Sequence, residues 1–208
     1  ALERFAPLPL QESYDNAGLQ VGLIDAEVSG VLLCLDVTEA VVDEAQRLGF
    51  NLIVSHHPLI FRGLKRITGA TYVERCLMKA IRLGIVVFSA HTNLDNAPGG
   101  VSWKMAEKLG LQGVKVLQAA PADPDGETGA GVIGVLPEAM PRAAFLAKVK
   151  ETFGAGCVLH NEPSEGPEAI GKVALCGGAG SFLAEEAEAQ GADAFVTGEI
   201  KYHDFFGH

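Results

Sequence analysis

Apolar residues along this chain fall into short continuous runs separated by stretches of helical periodicity. VLLCLD (31–36), NLIVS (51–55) and IVVFSA (85–90) are runs of β-branched and large apolar residues. Such runs predict strands buried on both faces of a parallel sheet. Between them, TEAVVDEAQRLG (38–49) and YVERCLMKAIRLG (72–84) space their apolar residues three and four apart and end on glycine. That spacing predicts amphipathic helices, the first capped by Thr38, with Gly49 and Gly84 as stops. VSWKMAEKLG (101–110) predicts a third helix. Strands alternating with helices imply a parallel sheet covered by helices.

After APADPDGETGAG (120–131), a Pro-, Gly- and acid-rich stretch that reads as a linker, the alternation resumes. GVIGVLP, the helix PRAAFLAKVKETFG, the short strand CVLH, IGKVALCGG, the helix SFLAEEAEAQG and ADAFVTG follow in order. The expected fold class is therefore α/β. Two α/β lobes, residues 1–119 and 120–208, would each carry a mainly parallel sheet covered by helices, with the site at strand C-terminal ends between the lobes.

Composition narrows the function classes. Hydrophobic residues make up 48% and charged residues 20% of the 208, the balance of a globular chain. The formal net charge of -10 argues against a nucleic-acid backbone as the main partner. Arg62, Lys65 and Arg66 cluster after the SHHP segment and read as a solvated loop. The four cysteines, Cys34, Cys76, Cys157 and Cys176, form no CxxC pair and fit free thiols in a reducing cytoplasm. No apolar run approaches the length of a membrane span, and no signal-peptide pattern is present. ALERFAPLP at the start reads as the tail of a helix and KYHDFFGH at the end as the beginning of one. The expectation is that the natural protein continues beyond both ends.

The candidate chemistry gathers at strand ends, where open parallel sheets place their sites. SHHP (55–58), Asp36, HTNLD (91–95) and TGE (197–199) each follow a run that reads as a strand. Successive side chains on an extended segment diverge, and Pro58 biases His57 toward an extended conformation. His56 and His57 are therefore expected to bind two different ions, with Asp95 as the bridging carboxylate across a span of about 3.5–4 Å. Imidazole plus carboxylate suits zinc, iron, manganese or nickel without choosing among these divalent ions. His91 is either a ligand or a group behind the ligands that orients one of them, the second being preferred because Asp95 already supplies the bridge. Glu199 and His203 are candidates for proton transfer, although Glu199 equally suits the first turn of a helix. GAGVIG (129–134) has dinucleotide-loop spelling, but its glycines lead into a strand instead of opening a helix. CGGAG (176–180) does open a helix and could approach a phosphate, with a tight turn as the preferred reading.

DNAGLQVG (15–22), SHHPLIF (55–61), HTNLDNAPGGVSWKMAEKLGL (91–111), ALCGGAG (174–180) and TGEIKYHD (197–204) together resemble the YbgI-like (NIF-three-like) family, described as GTP cyclohydrolase I type 2 homologues. The likeness covers nearly the whole chain. It implies a two-domain α/β fold, a dinuclear metal centre and a ring-shaped hexamer. The family's paired histidines and the Asp of its HxNLD motif carry onto His56, His57 and Asp95. Its remaining ligands belong to a C-terminal GHxxxE motif, which this sequence lacks; His208 follows a glycine but closes the chain. The resemblance further implies metal-dependent hydrolysis of the guanine imidazole ring of GTP, a small-molecule substrate, with Glu199 or His203 moving protons. Against this stand two other readings: a non-catalytic metal-binding or regulatory hexamer acting through protein partners, and a DNA-associated ring.

Overall fold

The computed structural model describes residues 1–121, 123, 126–161 and 166–205, so His208 lies outside the described residues. The elements run in the order α1 (Leu2–Phe5), β1 (Gly18–Val21), β2 (Val31–Cys34), α2 (Glu39–Leu48), β3 (Leu52–Ser55), α3 (Tyr72–Leu83), β4 (Val86–Ser89), α4 (Thr92–Asp95) and α5 (Val101–Leu109). Then come β5 (Gln112–Ala119), β6 (Gly129–Pro141), α6 (Arg142–Phe153), β7 (Ala169–Cys176), α7 (Ala184–Ala189) and β8 (Ala194–Thr197), with 3-10 turns at Leu8–Leu10, Ser181–Leu183 and Tyr202–Phe205. They form two compact units, Ala1–Leu94 and Asp95–His208.

In the first unit α2 starts at Thr38 and α2 and α3 stop at Gly49 and Gly84 as their sequences predict, while the cap Thr71 emerges from the structure. Thr38 and Thr71 each accept a hydrogen bond from a first-turn N–H, from Val41 and Glu74 respectively. Gly49 and Gly84 close the helices at positive φ, where a Cβ would be strained. The sheet order is β1-β4-β3-β2, with β2, β3 and β4 parallel and β1 antiparallel to β4. Parallel neighbours joined by right-handed crossovers send both connecting helices to one side. Leu32, Cys34, Ile53 and Val87 accordingly pack with Val42, Ala45, Leu77 and Ala80 of α2 and α3. The other face carries Val31 and Leu33, in register with Leu52 and Val54. Leu33 is 74% exposed and Val31 43%. VLLCLD is thus an edge strand covered on one face, not the doubly buried strand expected, because both crossover helices lie on the same side.

Glu74 anchors the loop before α3. Its buried carboxylate accepts from the Thr68 N–H and hydroxyl, the Ala70 N–H and the Thr71 hydroxyl. The Thr68 N–H leads these donors in holding its pKa down to about 2. Ion pairs Arg75–Glu39, at 2.7 Å, and Lys79–Asp43 tie α3 to α2.

The second unit has sheet order β5-β6-β7-β8. Here β5/β6 and β6/β7 are antiparallel and only β7/β8 is parallel, so this sheet is mixed where a mainly parallel one was expected. Helices cover both faces: α5 and α6 through Ala106, Leu109, Phe145 and Val149, α7 through Ala187 against Leu117 and Ile133. The stretch at 120–128 is the connection of the β5–β6 hairpin, closed by Ala120 N–H donating to Thr128 O at 2.9 Å. The two units consequently divide between Leu94 and Asp95, earlier than the boundary near 120 expected from composition, because β5 pairs with β6 and α5 packs beneath them. CVLH (157–160) forms no strand. Among the described residues all four cysteines are free, and no helix is long and apolar enough to cross a membrane.

Candidate metal centre

The chain bends as it leaves β3. The N–H groups of His56 and His57 donate to Cys34 O and Leu35 O at 3.1 and 2.9 Å, while the Ser55 hydroxyl donates forward to His57 O at 2.9 Å. This side-chain bond two residues ahead folds the segment back. The two imidazoles therefore do not diverge as an extended segment would require: their ring centroids are 5.0 Å apart, with planes tilted by 54°.

His91, just beyond β4, joins them, its ring centroid 5.2 Å from His56 and 5.6 Å from His57. One ligand atom from each of the three lies within 4.8 Å of the others, and this group can hold a metal ion. His91 thus groups with the histidine pair. Each Nδ1 meets an oxygen: His56 faces Ala90 O at 2.9 Å, His57 faces Asp36 Oδ1 at 2.9 Å and His91 faces Asp15 Oδ1 at 2.8 Å. Carbonyl and carboxylate oxygens only accept, so each Nδ1 carries the proton and donates it. That is the arrangement in which ligating histidines are oriented from behind. Burial pushes the His56 pKa down, and the neighbouring imidazoles His91 and His57 add to this against the opposing effect of the Ala90 carbonyl. The ring stays neutral, as a metal ligand must be. The donor set fits a borderline divalent ion such as zinc, iron or nickel.

Asp15 and its neighbours shape this cluster from the DNAGLQVG segment. The Asp15 side chain is fully covered. It accepts from His91 Nδ1, the Asn16 N–H, and the N–H and hydroxyl of Thr92. Burial alone would raise its pKa; the bonds from Thr92, His91 and Asn16 outweigh that and hold it below the ordinary value. Asn16 Nδ2 donates to Ile60 O at 2.6 Å and Gln20 Oε1 accepts from the Ile60 N–H at 3.1 Å, pinning the chain just after the histidine pair. Asp15 was missed as a site residue from sequence. Its signal was an acid within DNAG, 76 residues from its partner. Asp36 was visible as a polar strand end, but its bond to His57 was not.

The remaining candidates belong to the second unit. Asp95 is the last residue of α4 and half-buried. Glu199 and His203 are exposed; the Glu199 N–H donates to Gly178 O at 3.0 Å, and the His203 ring stands 5.3 Å from that of Tyr202. CGGAG is a closed turn. Gly180 N–H donates to Thr197 Oγ1 at 2.9 Å, and Thr197 Oγ1 donates to Gly178 O at 2.8 Å. A Cβ on Gly180 would come 2.6 Å from Cys176 Cβ, so close packing explains the glycine. GAGVIG lies within β6, as its lead into a strand predicted.

With this geometry in place, comparison with known proteins gives a consistent picture. The family model Duf34/NIF3 (NGG1p interacting factor 3) matches residues 1–208. A protein of Lactococcus lactis subsp. lactis (strain IL1403) named GTP cyclohydrolase 1 type 2 homolog is 37% identical over 97% of this chain and 76% of its own length. One of Streptomyces coelicolor with the same name is 35% identical over 98% of this chain and 71% of its own. The crystal structure of a Bacillus cereus protein related to NIF3 superposes with a TM-score of 0.88 at 28% identity, covering 98% of this chain and 81% of that one. Reduced HcgD from Methanocaldococcus jannaschii matches with a TM-score of 0.79 at 27% identity, over 98% and 77%. The match to protein ybgI, with a TM-score of 0.76 at 23% identity over 98% and 77%, shows the shared fold alone. The chain belongs to the Duf34/NIF3 family.

Proposed function

We propose that this protein is a metal-dependent hydrolase with a dinuclear centre. His56 and His57 are ligands, Asp95 is the bridge, and His91 is a third imidazole ligand, now grouped with the pair by geometry. The observation that carries the reading is the set of three imidazoles, each with its Nδ1 against an oxygen and each offering one ligand atom within 4.8 Å of the others. Asp95 is proposed on its place in HTNLD, four residues beyond His91.

Divalent ions bound there would supply Lewis acidity and would lower the pKa of water toward neutrality. The chain's own residues do the positioning. Ala90 O, Asp36 and Asp15 fix the tautomer and aim of the three rings, and Thr92 locks Asp15. Glu199 and His203, from the TGEIKYHD segment, are proposed to move protons. The substrate is proposed to be a nucleotide of the GTP type, opened at its imidazole ring, following the name that the relatives carry. The setting is proposed to be cytoplasmic.

The test is elemental analysis with anomalous scattering on the protein loaded with zinc, iron, manganese or nickel in turn. Two peaks about 3.5 Å apart beside His56 and His57 are expected, together with GTP turnover lost in Asp95→Ala. A metal content unchanged by joint replacement of His56 and His57 with alanine would sink the reading.

A second reading, a non-catalytic regulatory hexamer, has its own observation: the open apolar face of the first sheet, with Leu33 and Leu35 74% and 66% exposed. Exposed patches of this kind mark association surfaces, and a second copy is proposed to cover this one. Retained metal without turnover, and a hexameric mass lost in Leu33→Asp, would favour it.

A further inference from the structure

The segment that follows the histidine pair has a chemistry unlike the rest of the chain. No acidic residue occurs between Glu44 and Glu74, although the chain holds 26 of them. Within this stretch Arg62, Lys65 and Arg66 are all exposed. None of the three makes a hydrogen bond or ion pair with a described residue. At the segment's far end the Glu74 carboxylate is consumed by Thr68, Ala70 and Thr71, and that of Glu39 is paired with Arg75.

The segment is also held in place. Its start is pinned where Asn16 and Gln20 bond Ile60, and its end where Glu74 accepts from Thr68 and Ala70. Between these anchors Phe61, Leu64 and Ile67 are exposed. Phe61 does more than face solvent. Its ring stands edge-on to His91, with centroids 6.2 Å apart and planes at 86°. An aromatic surface therefore borders the imidazole cluster, and within five residues of it come three unpaired cations.

We propose that residues 61–67 form the recognition strap for a phosphorylated compound carrying a planar ring. The ring packs on Phe61 beside the histidine cluster, and the phosphates meet Arg62, Lys65 and Arg66. Arginine forks pair with phosphate oxygens in a bidentate manner and lysine adds a mobile point charge. Aromatic side chains stack planar bases at about 1–3 kcal/mol each. Phe61 borders the imidazole cluster, which is why a small ligand is favoured over a membrane or an acidic protein for this patch. The inference rests on the metal-site reading only for the fate of the ring end.

The test is isothermal titration of the full chain, zinc-loaded, with GTP, guanosine and inorganic triphosphate as separate probes. Zinc content is measured in parallel. The triple variant Arg62→Ala, Lys65→Ala, Arg66→Ala is expected to bind GTP about 10- to 100-fold more weakly and to lose triphosphate, with zinc content unchanged. Phe61→Leu is expected to weaken GTP and guanosine while leaving triphosphate as in the wild type. GTP affinity that survives the triple substitution overturns the proposal, as does a zinc-retaining wild type that binds none of the probes. So does a triple variant that loses sedimentation with phosphatidylserine-containing vesicles while keeping its GTP affinity, which would make the strap a membrane contact. If the wild type retains no zinc, the metal reading fails, and the same titrations on the metal-free chain still decide the strap.

Discussion

Replacing Asp15 removes a fully covered carboxylate that accepts four hydrogen bonds, two on each oxygen: His91 Nδ1 and the Asn16 N–H on Oδ1, the Thr92 N–H and hydroxyl on Oδ2. Asparagine keeps one accepting oxygen. Placing that oxygen toward His91 and turning the new amide NH2 toward Thr92 is the cheaper choice. The Thr92 hydroxyl can rotate to accept, and only the Thr92 N–H is left without its partner. A lost bond to a charged group costs about 1.5–3 kcal/mol, and Asp15→Asn is expected to destabilise the metal-free protein by about that much. His91 stays oriented, so metal affinity should fall only about tenfold, the low end for loss of a partner behind a ligand. Asp15→Ala leaves His91 without its acceptor and should cost about 100-fold, or roughly 2.8 kcal/mol of binding free energy. Urea unfolding of the metal-free chain reads the first quantity and competition for zinc against a chelator reads the second. If Asp15→Ala lowers stability but leaves zinc affinity within about twofold, Asp15 holds the loop and does not orient His91 for metal.

Glu74 predicts an acid response. Its folded pKa of about 2 lies below the ordinary 4.5, so it contributes stability that is complete above pH 4.5 and is lost as pH falls toward 2. The urea midpoint of the wild type should therefore drop more steeply across that window than that of Glu74→Gln; parallel curves would refute the role. Leu33→Asp, on the open sheet face, should reduce the mass measured by light scattering without altering the far-UV spectrum; an unchanged mass removes that face from assembly. Gly180→Ala should destabilise the second unit by about 1–3 kcal/mol through overpacking against Cys176, seen as a lower thermal midpoint with zinc content unaffected.

Local order in the chain was sufficient for the helices α2 and α3, whose caps Thr38 and Thr71 and stops Gly49 and Gly84 lie within one turn of the residues they serve. It was sufficient too for the three parallel strands β2, β3 and β4 of the first sheet and for the metal-competent residue types at their ends, but not for β1. Tertiary structure decided what depends on distant pairing. Whether β2 is buried on one face or two is set by the side to which both crossovers run, a property of handedness and strand order that no hydrophobic run encodes. Whether residues 120–128 join two lobes or close a hairpin depends on β5 finding β6, since a turn and a linker share the same Pro, Gly and Asp composition. The histidine cluster shows the same division most clearly. SHHP offered metal-competent side chains by its spelling, but the Ser55 bond that turns His57 back, the arrival of His91 from β4 and the carboxylate of Asp15 behind it exist only once the sheet has brought those strand ends together.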